Sequence, residues 1–306
     1  MEAALLYITF ARPEYARQSF DSIKRIKPQK LYFYSNKARS DRPEEVLNNN
    51  IIRNFISEID WNCDLKTYFR DEYVDVYTSL LSAFDWAFKE EEKLITVEED
   101  VILTPAFWSY CNSLLDKYKD DDRIWMISGE NYASDFNPHN YDYHFSSYFL
   151  SHGWGTWKNR WDKICWDKLD VDDIIKHKVL EGFFHSKKEI KYHKHRLKKY
   201  NDFINTTKCW DFFFFYTGVI NGAMAVLPAH HLIRNIGRDG MHSQSRIKNV
   251  AYQNISWIED TYPVEKCSIY MVPDIELDKR IFTKCFYRNS RIYYRIFNKV
   301  LTLLSR

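Results

Sequence analysis

Strand-length apolar runs alternate with helically periodic segments along the first part of this chain, and that alternation constrains the fold more than any single motif does. Ala3 to Phe10 is a continuous apolar run. Pro13 follows where a helix would start, with Tyr15, Ser19, Ile23 and Ile26 on one face. Leu31 to Ser35 reads as a second strand, and after a polar loop (Ser40 to Asn50) so do Ile51 to Ile59 and Leu65 to Phe69. Val74 to Phe88 carries helical spacing through Tyr77, Leu80, Leu81, Phe84 and Phe88, and Leu94 to Val97 returns as a strand. Thr104 and Pro105 make an N-cap and N1 pair for a helix through Leu115, and Arg123 to Ser128 is strand-like again. The pattern predicts an α/β protein with a mostly parallel, doubly wound sheet flanked by helices. Beyond about residue 135 it loosens into an aromatic segment and a basic helix, then a helix over Trp210 to Asn221 and a strand over Ala223 to Leu227. No linker or internal repeat interrupts the chain.

Composition narrows the function classes. Forty-five per cent hydrophobic and 17% aromatic residues, with only 8 Gly and 8 Pro in 306, exclude a disordered or low-complexity chain. A net charge of +2 supplies no global field for nucleic acid, so none is expected as a partner. The six cysteines are scattered without a C-x-x-C pair, which suits reduced thiols in a cytoplasmic protein. The start of the chain has Glu2 where a signal peptide is basic, its apolar run ends at Arg12-Pro13, and no window approaches a membrane span.

In such a sheet ligands bind beyond the carboxyl ends of the strands. Those ends hold Phe10-Ala11-Arg12-Pro13, Ser35-Asn36, Phe69-Arg70-Asp71, Glu98-Glu99-Asp100 and Ser128-Gly129-Glu130-Asn131. The acidic triplet is the sharpest feature: three adjacent carboxylates repel one another, and Mg2+ or Mn2+ would offset that while binding a diphosphate. A solvated loop is the plainer reading. From Trp154 to Trp166 lie four tryptophans, Trp154, Trp157, Trp161 and Trp166, whose faces suit sugar rings or a hydrophobic core equally. Trp210-Asp211 puts one carboxylate before the apolar run Phe212 to Phe215, a setting for a general base or for a helix N-cap. The glycine-punctuated loop Asn235 to His242 could cover a phosphate, complete a metal shell or be a surface turn. Lys187 to Lys199 reads as a solvated basic helix face.

Taken in order, these segments resemble the GT-A nucleotide-sugar glycosyltransferases, in particular bacterial relatives of the N-acetylglucosaminyltransferase I type, over roughly residues 3 to 245. Phe10-Ala11-Arg12-Pro13 is similar to the family's first-strand loop, whose Arg faces the nucleotide diphosphate. Val97 to Val101 is similar to its Glu-Asp-Asp metal motif, in which the last acid, here Asp100, holds the metal. Phe107 to Tyr110, Ile127 to Asn131 and the Gly153 to Trp157 stretch with Arg160-Trp161 follow at the family's distances. Trp210-Asp211 matches its Trp-Asp pair, whose carboxylate is the catalytic base, and Asn235 to His242 matches the loop that closes over the donor. Glu99 stands where the family has Asp, and Asn36 where relatives place an acid that meets the nucleobase.

The resemblance implies a GT-A domain over residues 1–245, with a donor half to about 131 and an acceptor half from about 132, and a C-terminal extension over 246–306. It implies an inverting hexosyl- or N-acetylhexosaminyltransferase with Mn2+ or Mg2+ and a UDP-linked donor. The acceptor would be a glycan or a lipid-linked sugar, in bacterial surface polysaccharide or lipopolysaccharide synthesis. Asp211 is the expected base, with Phe10, Arg12, Asn36, Arg70, Glu98 and Glu99 toward the donor and Asp100 and His242 toward the metal. Glu130, Asn131, Trp154, Trp157 and Trp210 are expected toward sugar or acceptor. A sugar nucleotidyltransferase would place a Gly-rich basic loop after the first strand, where this chain has no glycine. A non-catalytic carbohydrate- or nucleotide-sugar-binding protein would need neither the triplet nor Asp211. Arg288 to Arg306 carries Ile292, Ile296, Val300 and Leu303 at helical spacing among Arg291, Arg295 and Lys299. It is expected to rest on the cytoplasmic face of a membrane or to dock on the protein itself.

Overall fold

The computed structural model describes residues 2–203, 209–237 and 256–287. The first part of the described chain runs β1 (Ala4–Thr9), α1 (Pro13–Ile26), β2 (Lys30–Ser35), α2 (Pro43–Arg53), β3 (Asp64–Phe69), α3 (Val76–Ala87), β4 (Lys93–Glu98), β5 (Val101–Leu103), α4 (Pro105–Lys117) and β6 (Ile124–Ser128). It continues through β7 (Tyr143–Ser146), β8 (Trp154–Trp157), α5 (Lys158–Trp161), α6 (Val171–Lys176), α7 (Val179–Phe183), α8 (Lys187–Phe203), α9 (Trp210–Ile220), β9 (Met224–Pro228), β10 (Ile233–Asn235) and α10 (Ile275–Ile281).

Eight strands form one sheet in the order β3-β2-β1-β4-β8-β6-β9-β7, and β5 pairs with β10 in a small antiparallel ribbon. The β3-β2-β1-β4 half is parallel throughout, and β8 enters antiparallel between β4 and β6. The expected mixed α/β architecture, a mostly parallel sheet between helices, is therefore what the chain forms. Strand alternation divides the core. Ala4 and Leu6 of β1 face a layer with Leu80 and Phe84 of α3 and Phe213 and Phe214 of α9. Leu5 and Tyr7 face Phe20 of α1 and Phe107 and Leu114 of α4. Thr104 caps α4 as its sequence predicts, its hydroxyl accepting the Phe107 N–H at 3.0 Å.

One expectation changes. Ile51 to Ile59 is no strand: α2 begins inside the presumed polar loop at Pro43, and a 3-10 turn over Asn54–Glu58 follows it. Ile52 and Phe55 are buried where Ile51 is exposed, a helical periodicity that the run of apolar residues disguises. Of the tryptophan stretch, Trp161 ends α5, and Trp154 to Trp157 form β8, in the middle of the sheet. There Gly155 is required by close approach, because a Cβ would lie 2.6 Å from Cys111 Sγ and 3.0 Å from Leu115 Cδ1 on α4.

The described part of the C-terminal region packs on the rest of the chain. Trp257 bridges His231 in parallel, Tyr262 donates to the Asp142 carbonyl at 2.7 Å, and the Asp274 N–H donates to the Phe145 carbonyl at 2.8 Å. On α10, Asp278 is buried against Ser146 and the Ser147 N–H (2.9 Å), and burial pushes its carboxyl up to about 7. Among the described residues, no helix is long and apolar enough to cross a membrane. The amphipathic segment Arg288 to Arg306 lies outside them.

Candidate functional site

The acidic triplet follows β4 and leads into β5, held from below by α1. Ser19 of α1 donates to the Val101 carbonyl at 2.7 Å, and Ser22 accepts the Leu103 N–H at 3.0 Å. Two serines one helical turn apart thus fix the backbone that carries Glu98, Glu99 and Asp100.

The three acids take different roles. Glu99 is buried and turned onto the β1 loop, accepting the Phe10 N–H at 2.7 Å and the Arg12 Nε at 2.6 Å. Burial raises its pKa, against the opposing pull of Arg12 and of the Phe10 amide. The Arg12 guanidinium reaches Asp100 Oδ2 at 3.0 Å with its other arm, so one arginine spans two of the three carboxylates. Glu98 is lifted to about 7 by burial first and by the charge of Asp100 next, with His152 and Arg12 pulling it back.

The glycine loop meets the triplet at Asp100. β10 pairs with β5 so that Asn235 lies opposite Val101, and the Ile236 N–H donates to the Asp100 carbonyl at 2.9 Å. Gly237 then lies so close to Asp100 Oδ2 that a Cβ would overlap it, so no other residue fits there unless that carboxylate moves. Arg238 to His242 lie outside the described residues.

His152, just before β8, supplies a second positive charge. Its Nδ1 lies 3.0 and 3.2 Å from the two oxygens of Glu130, whose Oε2 also accepts the His152 N–H at 3.1 Å; the Tyr132 hydroxyl donates to Oε1. Burial would lower the imidazole's pKa, yet the Glu130 charge and hydrogen bond, with Glu98 and Asp100 behind them, push it up to about 9. Glu130 is held below the usual carboxylate range by the same pair, against the effect of its own burial. Sequence reasoning lists Glu130 and passes over His152, although a histidine beside a glycine-rich strand entry is a visible signal.

Asp211 lies on the second residue of α9, whose N-cap is Cys209, so it is not the cap; its Oδ1 accepts the Cys209 thiol at 2.6 Å. It opens onto a small concavity of about 60 Å3 together with Ser151, Arg196, Trp210 and Phe286. Two links, one along the chain and one through stacked rings, connect this concavity to the triplet. Ser151 precedes His152 in the chain. The Trp210 ring stacks on Trp154 at 5.7 Å and 10°, and Trp154 pairs in register with Thr96, two residues before Glu98.

Other expected residues serve the framework. Trp154 is 2% exposed between Phe84, Phe214 and Trp210, and Trp157 is buried with its indole N–H on the Leu115 carbonyl at 3.1 Å, so neither offers a face to a sugar. Asn131 is buried, its amide donating to the Pro228 carbonyl and accepting the Ala133 N–H. The Asn36 amide donates to the Val74 carbonyl at 2.8 Å and accepts the Lys37 N–H at 2.9 Å, fixing the β2 loop. Arg70 is engaged with Tyr68, Ser82 and the Glu72 carbonyl. Of the expected sugar-side residues, Trp210 alone lines the concavity.

No protein-family model and no curated protein matches the chain. Among solved structures, a UDP-glucose pyrophosphorylase complexed with UDP-glucose matches at 11% identity and a TM-score of 0.24, over 42% of this chain and 62% of its own. The match thus spans less than two thirds of that chain's length, and a likeness this loose transfers neither fold nor chemistry.

Proposed function

We propose that this chain is an inverting, metal-dependent GT-A glycosyltransferase that moves a hexosyl or N-acetylhexosaminyl group from a nucleotide-sugar donor, UDP-linked, to a hydroxyl of a glycan or lipid-linked acceptor. The reading rests chiefly on one juxtaposition. A triplet of strand-end acids clamped by Arg12 and covered by Gly237 is joined, through the Trp154–Trp210 stack and Ser151-His152, to a concavity that presents Asp211.

Among the described residues no group of three His, Cys, Asp or Glu side chains is placed to cage a metal ion. Mg2+ and Mn2+ need no such cage, since one or two carboxylates, waters and the substrate's phosphates commonly hold them. The donors fit. Asp100 and Glu98 would be hard oxygen ligands, and burial, with the charge of Asp100 second, raises Glu98, a cost to its charged form that a divalent cation would relieve. When bound, the ion would offset charge developing on the departing diphosphate.

Arg12 and protonated His152 add fixed positive charge on the same side. Asp211 accepts the proton of the acceptor hydroxyl as that oxygen bonds to the anomeric carbon from the face opposite the diphosphate. The bond from carbon to diphosphate oxygen breaks, its electron pair leaves on the diphosphate, and the configuration inverts. The aromatic walls of the concavity hold the acceptor in place and limit water.

A thermal-shift screen of nucleotide sugars tests this. At least one UDP-sugar should raise Tm with Mn2+ present and do so less in EDTA. A panel in which no nucleotide sugar stabilises the protein under either condition would contradict the proposal.

A further inference from the structure

The basic helix α8 is not solvated all round. Glu189, His193, Arg196, Leu197 and Tyr200 recur at helical spacing; Glu189, His193 and Leu197 are buried, and Arg196 enters the same concavity as Asp211. Its guanidinium carbon lies 5.8 Å from the Tyr200 ring, 5.9 Å from Phe212 and 5.8 Å from Tyr216, an aromatic collar that fixes its position. Among the described side chains, which end at Tyr200 on this helix, no carboxylate lies within ion-pair distance of it, and the charge of Asp211 acts on it from further away. The other lining residues, Ser151, Trp210, Phe214, Phe215 and Phe286 among them, carry no charge.

A partly desolvated guanidinium that lines the same concavity as Asp211, with no described carboxylate at ion-pair distance, is poised for an anion from the ligand. Its planar fork matches a carboxylate or a phosphate with two parallel hydrogen bonds. We infer that the acceptor carries a negatively charged group, a carboxylate or a phosphate, near its reacting hydroxyl, and that Arg196 selects it. The inference rests on the transferase reading of this site and names its acceptor class. The division of labour is electrostatically coherent: Arg196 neutralises the acceptor's anion, which leaves Asp211 to engage the hydroxyl without repelling the substrate. Were Arg196 only a support for Asp211, neutral and anionic acceptors would be affected alike by its loss.

The test uses the full chain with UDP and Mn2+ and matched probes: methyl glucuronide against methyl glucoside, methyl galacturonide against methyl galactoside, and glucose 6-phosphate against glucose. Affinities are measured by ligand-detected NMR titration. At least one anionic probe should bind about 10- to 100-fold more tightly than its neutral partner, as expected for charge-assisted hydrogen bonds. Raising NaCl from about 0.05 to 0.5 M should shrink that preference in the wild-type protein. Arg196→Gln should abolish it, and Arg196→Lys should keep part of it; the wild-type salt series stands independently if the Gln variant fails to fold. Carboxylate and phosphate pairs distinguish the two sources of the anion.

Equal binding within every pair, no binding by any anionic probe, or an undiminished preference in a folded Arg196→Gln protein would overturn the inference. A parallel reading keeps it separate from the transferase proposal: wild-type release of nucleoside diphosphate from a nucleotide sugar by water needs no acceptor. Release without anion preference overturns this inference alone, whereas absence of both release and donor binding overturns both.

Discussion

Replacing Glu130 with Gln removes a negative charge and almost no volume from the pair that holds His152. Glu130 is 1% exposed and the His152 side chain 39% exposed, so the pair is enclosed on the carboxylate side and wet on the imidazole side. A rise of the imidazole from 6.5 to about 9 would correspond to about 3 kcal/mol in a fully enclosed pair. Solvent screening at the half-exposed ring reduces this to about 1–2 kcal/mol. The sign follows from the direction of each shift. The raised His152 contributes fully below its ordinary 6.5 and loses that contribution as pH climbs through about 9. The lowered Glu130 contributes above the ordinary carboxylate range and loses its contribution as pH falls through it. Urea unfolding of wild type and Glu130→Gln at pH 6 and pH 9.5 reads this directly. The variant should be about 1–2 kcal/mol less stable at pH 6, and the gap should narrow by a similar amount at pH 9.5. A gap that is the same at both pH values would refute the ion pair as the reason Glu130 is there.

Other consequences can be checked separately. Asp211→Asn should lower transfer about 10²- to 10⁴-fold with donor affinity nearly unchanged, and, because Cys209 and not Asp211 caps α9, urea unfolding should register little change. Gly155→Ala forces a methyl group onto Cys111 and Leu115 in the packed layer between β8 and α4, and should cost about 1–3 kcal/mol by the same assay. Mn2+ affinity, followed by calorimetry, should strengthen as pH rises through about 7, where Glu98 gives up its proton; an affinity flat from pH 6 to 8 would remove Glu98 from the metal site.

The parallel half of the sheet is legible in the sequence because β1, β2 and β4 are short apolar runs whose two faces are both covered, and α4 announces itself with Thr104-Pro105. Ile51 to Ile59 misleads for the same reason: an apolar run of that length has no period of its own, and Pro43 as the first helical residue is the better guide. The tryptophan stretch is ambiguous locally, and only its antiparallel pairing with β4 and β6 puts Trp154 and Trp157 in the core. At the site, the triplet and the Trp-Asp pair are visible as strings of residues. The Gly237–Asp100 contact and the Glu130–His152 pair are long-range products of folding that composition does not register. Arg196 could have been found: the stripe Glu189, His193, Arg196/Leu197, Tyr200 on a helix read as solvated is a period of 3.6 hidden among lysines.

The most direct test of the central claim is nucleoside diphosphate release from a panel of nucleotide sugars, measured for wild type and Asp100→Asn with Mn2+ and with excess EDTA. The account predicts release by wild type with Mn2+ for at least one UDP-sugar, loss of that release in EDTA, and loss of it in a variant that remains folded. Release that proceeds undiminished in EDTA and in Asp100→Asn, or no release from any nucleotide sugar, would contradict it.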